Sequence, residues 1–280
     1  GHVTAVVYRD GDGQQQRQKA RGVAVAGNVV ETTRLLRNST STMFPNGLGN
    51  TSDQLGRNYM RHMTSIVVAV MPGKVNMHKG SRQTGVILDE QYHKPERGFV
   101  GGYIIEAAAT DPAGMIPFYT GWGEGAADFM EHYDRQACSF VTGEDPPQPG
   151  NRIQLHPTET DDNGLPIPVL NYEMHANTVA MQKHANQQTA AIYESLGGDV
   201  RIKTEGPVIG CHNMGTARMS EKPADGVTNR WGQVHDIPNL FVSDGSLFST
   251  SAAPNPTLTI VALAIRQADH IEARMTAKEL

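Results

Sequence analysis

Residues 23–37, VAVAGNVVETTRLLR, carry an apolar strand through a Gly-Asn turn into a helix. A strand that feeds a helix through small residues is the unit of a helix-covered parallel sheet, and such sheets place ligands where their strands end. The pattern predicts a buried strand followed by a helix entered near Glu31-Thr32-Thr33. A second strand–loop–helix closes the chain, with a strand over 239–242 and an apolar helix from about 257 to 275. Asn255 is a favoured N-cap and Pro256 a favoured first helical residue. Leu258, Ile260, Val261, Leu263 and Ala264 predict that this helix is buried. Its free amides and the positive end of its dipole would then sit beside Asn255, a natural place for a negative ligand atom.

Between these units the text changes character. Strand-like runs at Ser65–Met71, Gly85–Leu88, Phe99–Ile105, Arg152–His156 and Pro168–Met174 alternate with Gly, Pro and Asp turns. They predict a largely antiparallel sheet with helical insertions such as EGAADFMEHYDRQA. After them, HANTVAMQKHANQQTAAIYESLGGDV predicts a long helix closed by Gly197-Gly198. The first residues read as an alternating strand (Val3, Ala5, Val7), a Gly-Asp-Gly turn and a second strand-like run at Gly22–Ala26. A chain that starts in a hairpin, with no initiator Met and no targeting segment, reads as the later part of something longer. The expected class is α+β or α/β. One part of a Rossmann-like domain spans 1–61, a mostly antiparallel sheet domain with flanking helices spans 62–205, and the rest of the Rossmann-like domain spans 206–280.

Composition narrows the function classes. The 280 residues carry a formal net charge of −5 with acids and bases interspersed, which argues against a nucleic-acid partner. No window approaches the roughly 20 apolar residues of a membrane span, and mean hydropathy is −0.42. That leaves a soluble chain, cytoplasmic or periplasmic. Two cysteines, Cys138 and Cys211, exclude a disulfide framework and show no metal-ligand spacing. The Asn-x-Ser/Thr matches at Asn38 and Asn50 read as chance.

His212 lies in GCHNMGTARMS, a turn bracketed by Gly210 and Gly215. A histidine titrates near neutrality, so it can take a proton from an alcohol while another group accepts hydride. Taken alone it reads as a hydrogen-bonded structural histidine, just as the Asn255 turn taken alone reads as an ordinary capped helix. His62, His132 and His235 read as structural or surface residues. No His-Glu-x-x-His metal pattern and no Gly-x-Ser-x-Gly nucleophile turn occurs.

In combination these segments resemble a known family. HNMGTARM, then NLFVSDGSLFSTSAAPNPTLT, closely resembles the carboxy-terminal signature of the glucose–methanol–choline (GMC) family of FAD-dependent oxidoreductases. VAVAGNVVETTRLLRNS resembles that family's strand–turn–helix. LGRNYMRH resembles the approach to its substrate domain, with Arg61 where an acid is common, and NRIQLHPTETDDNGLPIPVLNY resembles the returning strand pair. The Asn-Pro-Thr-Leu-Thr form is similar to the sugar dehydrogenase and pyranose oxidase branch.

The resemblance implies FAD as cofactor and oxidation of a CH–OH group on a sugar, glycoside or other alcohol, with a dehydrogenase favoured over an oxidase. It implies that His212 is the catalytic base facing flavin N5 and that Asn255 holds the substrate hydroxyl beside it. Asp244, Gly245 and Ser246 would lie along the ribityl and phosphate part of FAD. Pro256 and Thr257 would lie at the pyrimidine end of the ring, and Gly27 and Asn28 near the adenosine half. The family's amino-terminal Gly-x-Gly-x-x-Gly, which cradles the pyrophosphate, is missing. A partner chain, a cleaved fragment or a preceding part of the same polypeptide is therefore expected to supply it. The rival reading is a non-catalytic module that keeps the fold without FAD.

Overall fold

The structure is a computed structural model that describes residues 1–208, 210 and 212–280, so Cys211 lies outside the described residues. Strands β1 (Ala5–Arg9) and β2 (Gln15–Lys19) form an antiparallel hairpin. The second arm is thus QQRQK and not Gly22–Ala26. All five of its residues are exposed, so apolar alternation has nothing to report. The turn is closed by the Asp10 carboxylate, which accepts from the amides of Asp12 (3.1 Å) and Gln14 (2.8 Å).

Strand β3 (Val23–Val25) follows, then α1 (Asn28–Asn38). The helix starts three residues before the expected point. Asn28 takes a left-handed φ of 65°, a conformation asparagine tolerates, and its Oδ1 accepts from the amides of Val30 (2.9 Å) and Glu31 (3.3 Å). Val29, Thr32, Thr33 and Leu36 form its buried stripe.

Strands β4 (Met63–Val70), β5 (Gln83–Ile87) and β6 (Tyr103–Ala108) come next, then α2 (Pro112–Met115), α3 (Glu124–Glu131) and β7 (Gln136–Gly143). The hairpin β8 (Arg152–Thr160) and β9 (Pro166–Asn171) leads to α4 (Ala176–Ser195) and β10 (Asp199–Lys203). A five-stranded antiparallel sheet runs in the order β10-β4-β7-β6-β5. One face is covered by α4 and packs Met63, Tyr103, Ile105, Val141, Met181 and Ala185. The other packs Ile66, Val68, Ala108 and Cys138 against Met115 and Phe129. This is the mostly antiparallel sheet with flanking helices that the alternating runs imply.

The central strand β7 corrects the sequence reading, which extended a helix through Ala137. That helix stops at Glu131. Both faces of β7 are buried, so its sequence shows no period of two. Its polar residues are bonded in place: Gln136 donates its Nε2 to the Phe129 carbonyl, Ser139 meets the Tyr193 hydroxyl, and Thr142 donates to Glu106. Asn50 is likewise 5% exposed and bonded to the Asn46 carbonyl and the Leu55 amide, as a chance sequence match would be.

Strand β11 (Leu240–Val242) pairs in parallel with β3, residue for residue from Val23–Leu240 to Val25–Val242. The chain ends in α5 (Thr257–Thr276). Two expectations fail there. The first ladder bond runs from the Ile260 amide to the Pro256 carbonyl at 3.0 Å, so Pro256 is the cap residue and Asn255 stands outside the helix. Nor is the helix buried: Leu258 is 81% exposed, Val261 47% and Ile265 60%, and only Gln267 is buried. Gln267 donates to the carbonyls of Trp231 (2.9 Å) and Val242 (2.8 Å). The helix thus meets the two-stranded β3–β11 sheet along one side, and its apolar stripe has no cover among the described residues.

Candidate active site

The His212 segment is held between two others by backbone bonds. Met60 and Met214 exchange both amide–carbonyl bonds, at 2.9 and 2.8 Å. On the other side Gly215, Ala217 and Met219 donate to the carbonyls of Gly245, Ser246 and Leu247. The crossing is so close that a Cβ on Gly215 would lie 2.3 Å from the Asn58 carbonyl, and φ there is +96°. Glycine is required on both counts.

The first product of this crossing is a pair of histidines. His62 Nδ1 lies 2.9 Å from His212 Nδ1, with the rings nearly perpendicular at 83°. His62 is 1% exposed. Burial, reinforced by the neighbouring His212, pushes its pKa down to about 3 and the Ala252 backbone only partly opposes this. His212 is half-buried, and burial lowers its pKa as well while the Glu106 carboxylate pulls the other way. Both rings are therefore neutral at neutral pH. Beside His212, Asn213 accepts from the buried Tyr59 hydroxyl at 2.5 Å.

Glu106 links the second turn to the first. It is 8% exposed, accepts from Thr142 Oγ1 at 3.0 Å and lies 3.4 Å from Asn255 Nδ2. Asn255 therefore turns back toward the sheet domain instead of capping α5. The loop that carries it is tied to the end of β7: Asp145 donates its amide to Ser251 Oγ at 2.8 Å, and Ser251 returns a bond to the Asp145 carbonyl at 2.9 Å. The Asp145 carboxylate is itself buried, accepting from the Arg61 amide, Tyr172 and Thr178. Arg61 lies over the Tyr172 ring, 5.2 Å from its centroid, and against Gly210.

His62, read above as a bland histidine, is thus the partner of His212, and Glu106 and Asp145 were missed altogether. Glu106 had a signal, since an acid inside the apolar run YIIEAAA must be paired if buried. His62 had none, because 150 residues separate it from His212.

The residues expected around FAD are placed as follows. Asp244 accepts from Thr32 Oγ1 at 2.5 Å and from the Ser246 amide at 2.8 Å, and Thr32 Oγ1 accepts in turn from the Gly27 amide at 3.0 Å. Asp244 is therefore occupied in joining α1 to the β11 turn. Gly245 lies beside Asn213, where a Cβ would meet the Asn213 carbonyl at 2.7 Å. Ser246 is fully buried, yet its Oγ has no partner among the described residues. Pro256 is buried and Thr257 exposed. The amides of Thr257, Leu258 and Thr259 precede the first ladder bond of α5. Gly27 and Asn28 are exposed at the carboxyl end of β3, but Asn28 closes the α1 N-terminus with its own side chain. The orphaned Ser246 hydroxyl, the open α5 N-terminus and the pinned His212 fit the ring and ribityl half of a flavin. They offer no glycine cradle for its pyrophosphate.

Among the described residues no group of three or more His, Cys, Asp or Glu could hold a metal, and no helix is long and apolar enough to cross a membrane. Cys138 is buried and its thiol is pushed up to about 12 by burial, an inert structural cysteine.

Comparison with known proteins points to the family that the sequence resembles. Residues 147–264 match the family model described as GMC oxidoreductase, in its carboxy-terminal domain. The 2-methyl-1,2-propanediol dehydrogenase of Mycolicibacterium austroafricanum is 34% identical over 99% of this chain and 52% of its own length. The fructose dehydrogenase large subunit of Gluconobacter japonicus is 27% identical over 96% of this chain and 50% of its own. A formate oxidase from Aspergillus oryzae RIB40, in a structure concerned with FAD modification, shares the fold with a TM-score of 0.70 at 16% identity, over 99% of this chain and 58% of that one. The chain spans about half the length of the curated relatives it matches. Residues 147–264 match the carboxy-terminal domain of the GMC oxidoreductases, a family of FAD-dependent enzymes, and the chain as a whole is similar to about half of each of these relatives.

Proposed function

We propose that this chain carries the catalytic side of an FAD-dependent enzyme that oxidises a CH–OH group of a sugar, glycoside or related alcohol. The observation that carries the reading is His212: half-buried, neutral, pinned through Nδ1, and set with Asn255 around the buried Glu106. A bound flavin supplies the hydride acceptor. Asn255 and the α5 amides orient the substrate hydroxyl and favour negative charge at that end of the site. His212 takes the hydroxyl proton on its Nε2 as the C–H bond breaks. The relatives include both dehydrogenases and oxidases. The dehydrogenase reading rests on the branch that the Asn-Pro-Thr form resembles, and it predicts an electron acceptor other than oxygen.

The pyrophosphate cradle is assigned to an amino-terminal FAD-binding half, whether separate chain, fragment or preceding segment. Bare Leu258, Val261 and Ile265, at spacings of three and four on one side of α5, support this. Residues 1–61 and 206–280 would then belong to the FAD domain and 62–205 to the substrate domain. Anaerobic addition of an alcohol or sugar panel to the complete protein tests the function. Bleaching of the yellow flavin by at least one alcohol is expected. A colourless, flavin-free protein would favour the rival reading of a scaffold without FAD.

A further inference from the structure

The contact between His62 and His212 joins the same nitrogen of each ring, so the single proton between two neutral rings has two possible homes. If His62 donates, neutral His212 carries its own proton on Nε2 and cannot accept another there. The buried Nε2 of His62 has no side-chain partner among the described residues in either arrangement. If His212 donates, His62 carries its proton on Nε2, and the Ala252 backbone favours a proton on this ring. His212 Nε2 then keeps a free lone pair. A charged His62 would have to donate from Nδ1 and so impose the first arrangement, but its near-complete burial excludes the charge. The groups that bear on this pair are His212 itself and the Ala252 backbone on His62, and Glu106 on His212.

The position of His62 is fixed independently of its ring. It stands just before β4, its neighbour Arg61 is held by the Asp145 carboxylate, and Met60 is paired with Met214. A ring on that backbone has one short contact to a titratable group, and it is the one to His212.

We infer that His62 is a positioning residue that fixes the tautomer of His212, taking the Nδ1 proton as a hydrogen bond so that Nε2 is left free. This rests on the reading of His212 as the base, and it gives that base the orienting third group that side-chain bases generally need. A buried carboxylate in this place would raise the pKa of the base, whereas a neutral imidazole orients it and leaves it uncharged.

The test uses the complete, flavin-loaded protein with ¹⁵N-labelled histidine. His212 resonances are assigned by their loss in His212→Ala. The native protein should show His212 with a protonated Nδ1 and an unprotonated Nε2, and the opposite tautomer would overturn the inference whatever the activity. In parallel, His62→Leu should slow flavin reduction about 10- to 100-fold through kcat more than KM. Flavin content should be kept and the His212 tautomers mixed. His62→Asn, whose amide oxygen can take the place of Nδ1, should recover most of the rate. An unchanged rate in His62→Leu with His212→Ala inactive would overturn the inference while leaving the function intact. Absence of any alcohol-driven reduction in the native protein would count against the function, and the tautomer measurement would still decide this point.

Discussion

The five-stranded sheet and the β3–β11 unit are built from similar residues and end differently. The sheet is closed on both faces, by α4 on one side and by Met115 and Phe129 with their helices on the other. The β3–β11 pair is a two-stranded parallel sheet, and α5 beside it leaves Leu258, Val261 and Ile265 in solvent. Parallel sheets are stable when covered on both faces, so the second unit behaves as half of a layer and the first as a whole one. The candidate site lies where they meet. His62 and Glu106 come from the closed sheet; His212, Ser246 and Asn255 come from the open unit.

The contrast can be broken in several ways, beginning with the largest effect. His212→Ala should slow flavin reduction roughly 100- to 10,000-fold with flavin retained, measured by anaerobic stopped flow. An unchanged rate would remove the base from the open unit. Next, Phe129→Ala, on α3 against the closed sheet and stacked on Tyr119 at 4.6 Å, should cost about 3–5 kcal/mol by denaturant unfolding. Ile265→Asp on α5 should change the stability of this chain alone by less than about 0.5 kcal/mol, yet abolish a flavin-containing assembly. Equal effects of the two in both settings would erase the distinction. Asn255→Ala should lower reduction roughly 10- to 100-fold without the capping loss that its sequence position suggests, because its side chain points to Glu106.

The last prediction concerns pH. His62 titrates near 3 when folded and near 6.5 when unfolded, so the unfolded chain binds the extra proton between these values. Stability from this group is complete above about pH 6.5 and falls as pH drops toward about 3, by at most ~1.4 kcal/mol per unit. The lowered pKa of His212 and of His184 adds in the same direction. In His62→Asn the slope should flatten, and an identical slope would show that His62 is not buried neutral.

Local chemistry was legible where a segment's neighbours are close in sequence. The β3–α1 turn, the β8–β9 hairpin and the limits of α4 follow from alternation, Gly-Asn and Gly-Gly signals. Strand β7 was not legible, because a strand buried on both faces with Gln136, Ser139 and Thr142 bonded in place has no two-residue rhythm. Helix α5 misled for the opposite reason: its apolar stripe reports a surface meant to be covered, and sequence periodicity does not say by what. At the candidate site, the roles expected of His212 and Asn255 come from the family resemblance. The pairing of His212 with His62 and of Asn255 with Glu106 spans about 150 residues each and is visible only after folding.

The central claim is that this chain holds the catalytic side of a flavin site and that the pyrophosphate side is supplied by another part. Gel filtration with FAD measures it directly, on this chain alone and on this chain together with an amino-terminal half bearing Gly-x-Gly-x-x-Gly. The account predicts that no flavin stays with the chain alone and that the joined halves run as one yellow species with one FAD. Stoichiometric FAD retained by the chain alone, or a colourless joined species, would contradict it.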